Sequence, residues 1–128
     1  MTKLNTENVI GISALLVHAA KIDEIYSEHE KELIKVFISS YLKDENGDEI
    51  LKKAEELEKN SNQLLNYTNI IKKNSMEIKK DIIEHLWKVV ISDNTIDQYE
   101  SNLIRRICGL IYIPDKVSAE IKLKLINS

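Results

Sequence analysis

The chain contains few residues that break or cross-link a fold, with one cysteine, one proline and three glycines among its 128 residues. The single cysteine, Cys108, excludes an intrachain disulfide and a zinc site built from several cysteines. So little glycine and proline leaves little material for tight β-hairpins. Long apolar runs are missing too, since no stretch approaches the roughly 20 apolar residues of a membrane-spanning helix. No early apolar run follows a basic start, so we expect no signal peptide and a cytoplasmic protein without a membrane span.

Neither sign of charge dominates, because the formal net charge is −3 and Lys and Arg are mixed among Asp and Glu. Binding to phosphates needs a clustered excess of cations, so we expect no nucleic-acid partner. His18, His29 and His85 lack the spacing of a zinc site. The sequence also has no glycine-rich phosphate loop, nucleophile elbow or Cys–His pairing. It therefore predicts a protein that is not an enzyme.

Helical spacing of apolar residues dominates the chain, which predicts an all-α fold. A length of 128 residues is that of one compact domain, here residues 1–128, with about seven helices. We expect Asn46-Gly47 to end the second helix and Asp48 to cap a short third one. A fourth helix should carry Leu64, Leu65, Ile70 and Ile71. The remaining helices are expected over about 7–20, from 27, over 75–91, over 98–112, and after the break at Pro114.

The chain contains an internal repeat of one short segment. "AAKIDEIYSEHEKELI" (19–34) returns as "VVISDNTIDQYESNLI" (89–104), with Asp23 matching Asp93 and Glu30 matching Glu100 at a constant offset (93 − 23 = 70; 100 − 30 = 70). Apolar helix ends precede both copies and apolar helix starts follow them. A helix–acidic loop–helix unit cannot bury its apolar face alone, so we expect two copies packed about a pseudo-two-fold axis.

The repeated acids have two explanations. The first explanation is a capping box at the start of each following helix, formed by Ser27 with Glu30 and by Asp97 with Glu100. In a capping box the glutamate accepts a hydrogen bond from the backbone N–H of the cap residue, so it needs no other role. Asp23 and Asp93 instead lie at the ends of helices, where the helix dipole disfavours negative charge. There they are either solvated turn residues or ligands. The ligand interpretation predicts a weak, oxygen-rich site for a divalent cation, Ca²⁺ or Mg²⁺. Its predicted ligands are Asp23, Glu30, Asp93, Asp97 and Glu100.

Three other features have structural interpretations. The charged run "KDENGDEILKKAEELEKN" (43–60) is typical of a solvated helix face with charge pairs four residues apart. Cys108 lies on an apolar stretch and is expected to be a buried, inert thiol. Trp87 falls on the register of Val17 in the repeat, so we expect helix packing there. Trp87, Tyr99 and Tyr112 remain candidates for contact with a partner, as interface aromatics often are.

The apolar helix followed by Asp-x6-Glu, together with the later "LIRRICGLIYIPDKVSAEI", resembles the TerB family of tellurite-resistance-associated proteins. That family is related to the N-terminal domain of the DjlA co-chaperone. The resemblance covers nearly the whole chain and is most specific over 86–121. It implies an all-α fold, a stress-linked role and protein partners, and it implies a metal ion held by acids that map to Asp23, Glu30, Asp93 and Glu100. The glycine that usually follows the loop aspartate is Glu24 in one copy and Asn94 in the other.

Overall fold

The computed structural model describes residues 4–22, 26–43, 46–60, 67–91 and 98–127, with only the backbone described at 98–100. Within these ranges the chain forms seven α-helices and no strand, which confirms the all-α prediction. The helices are α1 (Thr6–Lys21), α2 (Glu28–Tyr41), α3 (Gly47–Asn60), α4 (Thr68–Lys72), α5 (Met76–Ile91), α6 (Gln98–Ile111) and α7 (Asp115–Ile126). None of the helices in the described ranges has the length and apolar character of a transmembrane span.

The repeat is visible in the helix bounds. Helix α1 spans 6–21 and α5 spans 76–91, while α2 spans 28–41 and α6 spans 98–111, so every bound differs by 70. Burial follows the same offset, because all eight buried positions of α5 correspond to buried positions of α1. On α6, the buried residues Ile104, Ile107 and Cys108 correspond to Ile34, Phe37 and Ile38 of α2. The two halves are therefore built alike.

A third helix belongs to each unit. Helix α3 packs on α1 and α2, and α7 packs on α5 and α6 in the same manner. The units join where α5 packs against α1 and α2. The fold is thus a pair of three-helix units around one core, to which α7 contributes the partly buried residues Val117, Ile121 and Leu125.

Helix α4 lies in sequence between the two three-helix units and belongs to neither of them. It has only five residues and packs on α6, α1 and α5. Tyr67, just before it, lies against α1 at Gly11, where an added Cβ would come within 2.2 Å of the Tyr67 ring. Only glycine fits under that ring without movement. The predicted Leu64 and Leu65 of this helix lie outside the described residues.

The predicted boundary between the second and third helices was wrong. Helix α2 already ends at Tyr41, with Leu42 as its C-cap residue. Gly47 is the first residue of α3 and has no positive φ, so it does not end a helix in left-handed geometry. Asn46, rather than Asp48, is the cap, because its side-chain oxygen accepts hydrogen bonds from the backbone N–H of Asp48 and Glu49. Nor is α3 short, at 14 residues.

The later helix limits agree with the sequence. Ser75 Oγ accepts a hydrogen bond from the N–H of Ile78 at 3.3 Å and caps α5, which begins where the sequence places it. Pro114 is the N-cap residue of α7 and separates it from α6. Between them Tyr112 has a positive φ of 64°, which is rare for a residue with a side chain. The N–H of Ile113 closes the end of α6 on the carbonyl of Cys108 at 2.9 Å.

Candidate functional site

The first acidic bend leads into α2, and the start of this helix is capped by Ser27 and Glu30. The backbone N–H of Glu30 donates to Ser27 Oγ at 3.1 Å, and that of Ser27 donates to Glu30 Oε1 at 2.8 Å. This is the predicted capping box, which satisfies two helix-terminal N–H groups reciprocally. Glu30 is only 2% exposed. Its carboxylate is therefore held in one position at the base of the bend.

Tyr26 precedes this cap and is surrounded by charge. The ammonium groups of Lys31 and Lys21 lie 5.1 and 6.0 Å from its ring centre. Burial, followed by the neighbouring carboxylate of Glu55, raises the pKa of Tyr26 well above its ordinary range. The surroundings of Tyr26 therefore favour its neutral phenol over the phenolate.

Glu58 ties the end of α1 to α3. Lys21 Nζ donates to its Oε1 at 2.8 Å, and His18 Nδ1 lies 3.2 Å from its Oε2. Burial alone raises the pKa of Glu58, but the hydrogen bonds from Lys21 and His18 outweigh it and hold that pKa below its ordinary value. The prediction that this segment is simply a solvated face was wrong at Glu58, because its partners lie on another helix.

The five predicted ligands are not equally described. Asp23, Asp93 and Asp97 lie outside the described residues, and Glu100 is described only as backbone at the start of α6. Glu30 alone has a described side chain, and its role as a cap is confirmed. In the described part of the chain no three His, Cys, Asp or Glu side chains come close enough to hold a metal ion. The donor set itself consists of carboxylates, which fits Ca²⁺ or Mg²⁺ better than zinc.

The described helix ends that border the two bends lie toward one end of the bundle. Tyr41 Oη donates to Asp81 Oδ2 at 2.6 Å, and one turn earlier on α2 the ring of Phe37 lies 5.2 Å from that of His85. Residues that advance along α2 thus meet residues that recede along α5, so the two helices are antiparallel. The first turn of α2, with Glu30, therefore lies beside the last turn of α5. Sequence spacing alone did not reveal this arrangement.

Two groups of the kinds that often serve as a nucleophile or a base, Cys108 and His85, are buried in the core. Cys108 is fully buried, and burial raises the pKa of its thiol, as expected for an inert cysteine. His85 is 6% exposed and packs edge-on against Phe37. Burial lowers the pKa of His85, although the carboxylate of Asp81 opposes the shift. Trp87 is 5% exposed and donates through Nε1 to Ser118 Oγ at 3.0 Å, so its packing role is confirmed.

An open cavity of about 300 Å³ lies between α1, α3 and α4. Its lining is mixed and includes the side chains of Glu7, Asn8, Ile10, Leu57, Tyr67 and Ile70. A single carboxylate and one amide provide most of its polarity. These groups do not form a nucleophile–base pair.

Comparison with known proteins identifies the family. The family model described as "Tellurite resistance protein TerB" matches residues 9–123, a span that begins within α1 and ends within α7. A search of curated proteins and a search of solved structures found no match. With the match extending over nearly all of its 128 residues, the chain belongs to the TerB family.

Proposed function

We propose that this TerB domain is a non-catalytic interaction and sensing module of a tellurite-resistance-type stress response. In this proposal a divalent cation, Ca²⁺ or Mg²⁺, binds weakly at the two acidic bends. The observation that carries it is the repeat: two helix–bend–helix units share their bounds at an offset of 70, and the helix ends beside the bends lie toward one end of the bundle.

The proposed ligands divide into two kinds. Asp23 and Asp93 are primary ligands, since they follow α1 and α5 in sequence, and a carboxylate near the carboxyl end of a helix is opposed by the helix dipole and gains from a cation. Glu30 and Glu100 combine cap and ligand roles, with Asp97 assisting. An ionised carboxylate has about four acceptor positions. On Glu30, Oε1 accepts the cap bond from the N–H of Ser27, and we assign the same carboxylate a second role as a ligand.

The test is a titration with Ca²⁺ and with Mg²⁺, followed by calorimetry and by backbone amide shifts. We expect shifts confined to residues that border the bends, and their loss in the variant Asp23→Asn/Asp93→Asn. Glu30→Gln is the matched control for the cap, because a glutamine at this position retains the capping box while removing the charge. It should weaken cation binding and leave the stability of α2 nearly unchanged. No response at millimolar cation would overturn the cation site.

A second function has its own supporting observation. The capping box gives Glu30 a complete structural role without any cation, as expected of a purely structural protein–protein interaction domain of the co-chaperone type. In that case the titration gives no shift, and replacing Ser27 or Glu30 by Ala changes stability alone. The two proposals share a protein partner and differ in the cation.

Both proposals place the module in the cytoplasm and assign it no reaction. The chemistry of the described core supports the absence of a reaction, since burial raises the pKa of the Cys108 thiol and His85 is only 6% exposed. A lone reduced cysteine is also ordinary for a cytoplasmic protein.

A further inference from the structure

A second surface lies at the other end of the bundle, where α4, α5 and the end of α6 meet. Its centre is the ring of Tyr112, which is 63% exposed. Lys72 Nζ lies 4.9 Å from the ring centre and Lys79 Nζ lies 5.9 Å from it. Met76 and Leu110 are both more than 40% exposed. Met76 lies about one helical turn before Lys79 on α5, and Leu110 lies two residues before Tyr112 in sequence. We call these five residues the Tyr112 patch.

Lys79 is a charged residue at a buried position of α5. It is 8% exposed, while its equivalent in the first unit, Val9, is fully buried and apolar. A cation in the first turns of α5 also opposes the positive end of the helix dipole. Among the residues that the structure describes, Lys79 and Lys72 contact the Tyr112 ring but form no ion pair. Two cations thus converge on one exposed ring without a described carboxylate.

Tyr112 itself occupies an unfavourable backbone position. Helices that end in left-handed geometry usually place glycine there, since a Cβ is strained at positive φ. The chain instead places an aromatic ring at that position and leaves it in solvent. Strained residues of this kind concentrate at functional sites.

Charge complementarity indicates what binds. The chain as a whole is acidic, at −3, yet the two charged groups found over the Tyr112 ring, Lys72 and Lys79, are both cations. The exposed ring of Tyr112 lies beside these cations, and the exposed side chains of Met76 and Leu110 add apolar area near them in sequence. We propose that the Tyr112 patch binds an acidic segment of a partner protein, with carboxylates on Lys72 and Lys79 and an apolar side chain on Tyr112.

This inference rests on the interaction role proposed above and is separate from the cation site. Lys79 lies twelve residues before the end of α5 at Ile91, a distance of about 18 Å along the helix axis. The two surfaces therefore occupy opposite ends of the bundle and can be tested apart.

The experiment measures fluorescence anisotropy of a labelled peptide of alternating Glu and Leu, titrated with the full chain in EDTA. A peptide with Gln in place of Glu is the charge control. We expect the acidic peptide to bind and Lys79→Met or Tyr112→Gly to weaken it at least about tenfold, since charge pairs and aromatic anchors dominate such contacts. Tyr112→Phe should bind as the parent does, because it retains the ring.

Two controls separate binding from folding. Tyr112→Gly relieves the positive φ, so its melting temperature should equal or exceed that of the parent while binding falls. Lys122→Met removes a similar cation from over Trp87, at 5.0 Å, and should leave peptide binding unchanged.

Three results would overturn the inference: equal binding of the two peptides, patch variants that bind as the parent does, or stronger binding of a single-stranded oligonucleotide than of the acidic peptide. If Asp23→Asn/Asp93→Asn abolished peptide binding and Lys79→Met did not, the partner would bind at the bends. The Tyr112 patch would then be wrong while the proposed function stood.

Discussion

At the scale of single residues, two helical glycines have opposite surroundings. An added Cβ at Gly11 would lie 2.2 Å from Cδ1 and 2.5 Å from Cε1 of Tyr67, whereas one at Gly109 would meet nothing within 4 Å. Neither residue has a positive φ, so conformation alone excludes no side chain. The effect of an alanine at the two positions should therefore differ because of the space available for its Cβ.

We predict that Gly11→Ala lowers the free energy of unfolding by about 1–3 kcal/mol, because overpacking forces the Tyr67 ring aside. Gly109→Ala should raise it by about 0.5 kcal/mol, since alanine is the better helix former. Urea unfolding followed by circular dichroism measures both. In a Tyr67→Ala background the cost of Gly11→Ala should disappear; a cost that persisted there would mean that the ring is not its cause.

The capping box gives a second prediction at this scale. Ser27→Ala removes the oxygen that accepts the N–H of Glu30, so it should lower the free energy of unfolding by about 1 kcal/mol. Thermal and urea unfolding are the measurements. Ser27→Asp is the matched control, because aspartate is an equally good cap, and it should restore stability. An alanine variant as stable as the parent would contradict the assigned cap role.

At the scale of helices, apolar periodicity was sufficient to find the elements but not every boundary. The start of α5 follows from Ser75, and the break between α6 and α7 follows from Pro114. Asn46 has two geometric preferences, because asparagine is favoured both after a helix and as the cap before one. The sequence could not decide between them, and the structure uses Asn46 to begin α3.

A contact between helices of different units gives the third prediction. Tyr41 on α2 donates to Asp81 on α5 at 2.6 Å, and burial, with Asp81 next, raises the pKa of Tyr41. Tyr41→Phe should therefore lower the free energy of unfolding by about 1 kcal/mol. A double-mutant cycle with Asp81→Ala isolates the pair by calorimetry. Strictly additive effects would show that the hydroxyl and the carboxylate are not coupled.

At the scale of the whole molecule, the repeat was the most informative sequence feature. It predicted two helix–bend–helix units, and the observed bounds repeat at the same offset of 70. The same alignment places Lys79 opposite Val9, so the repeat also contained the first sign of the Tyr112 patch. The left-handed backbone of Tyr112 and the pairing of Glu58 with α1 could not be predicted. The backbone of Tyr112 contradicts the preference of residues with a side chain for negative φ. The contacts of Glu58 join it to Lys21 and His18, which lie 37 and 40 residues away in sequence.

The last prediction concerns the pH dependence of global stability. Burial lowers the pKa of His85 below its ordinary value of 6.5, with Asp81 and Glu84 opposing the shift and Lys88 assisting it. Below pH 6.5 the unfolded chain gains a proton on this residue that the folded chain does not accept. Stability should therefore fall from pH 6.5 downward until folded His85 also titrates. Glu58, with a pKa lowered from 4.5, adds a separate loss below pH 4.5.

His85→Leu separates these two losses. Leucine matches Leu15, the fully packed equivalent of His85 in the first unit, so it retains apolar packing and removes the titration. In this variant, urea midpoints measured from pH 8 to 3 should lose the fall that begins at pH 6.5. They should still fall below pH 4.5, where Glu58 of the unfolded chain takes up a proton that the folded chain does not yet accept. Glu58→Gln should show the reverse pattern. A slope between pH 6.5 and 5 that persisted in His85→Leu would assign the acid sensitivity to a group other than the buried histidine between the two units.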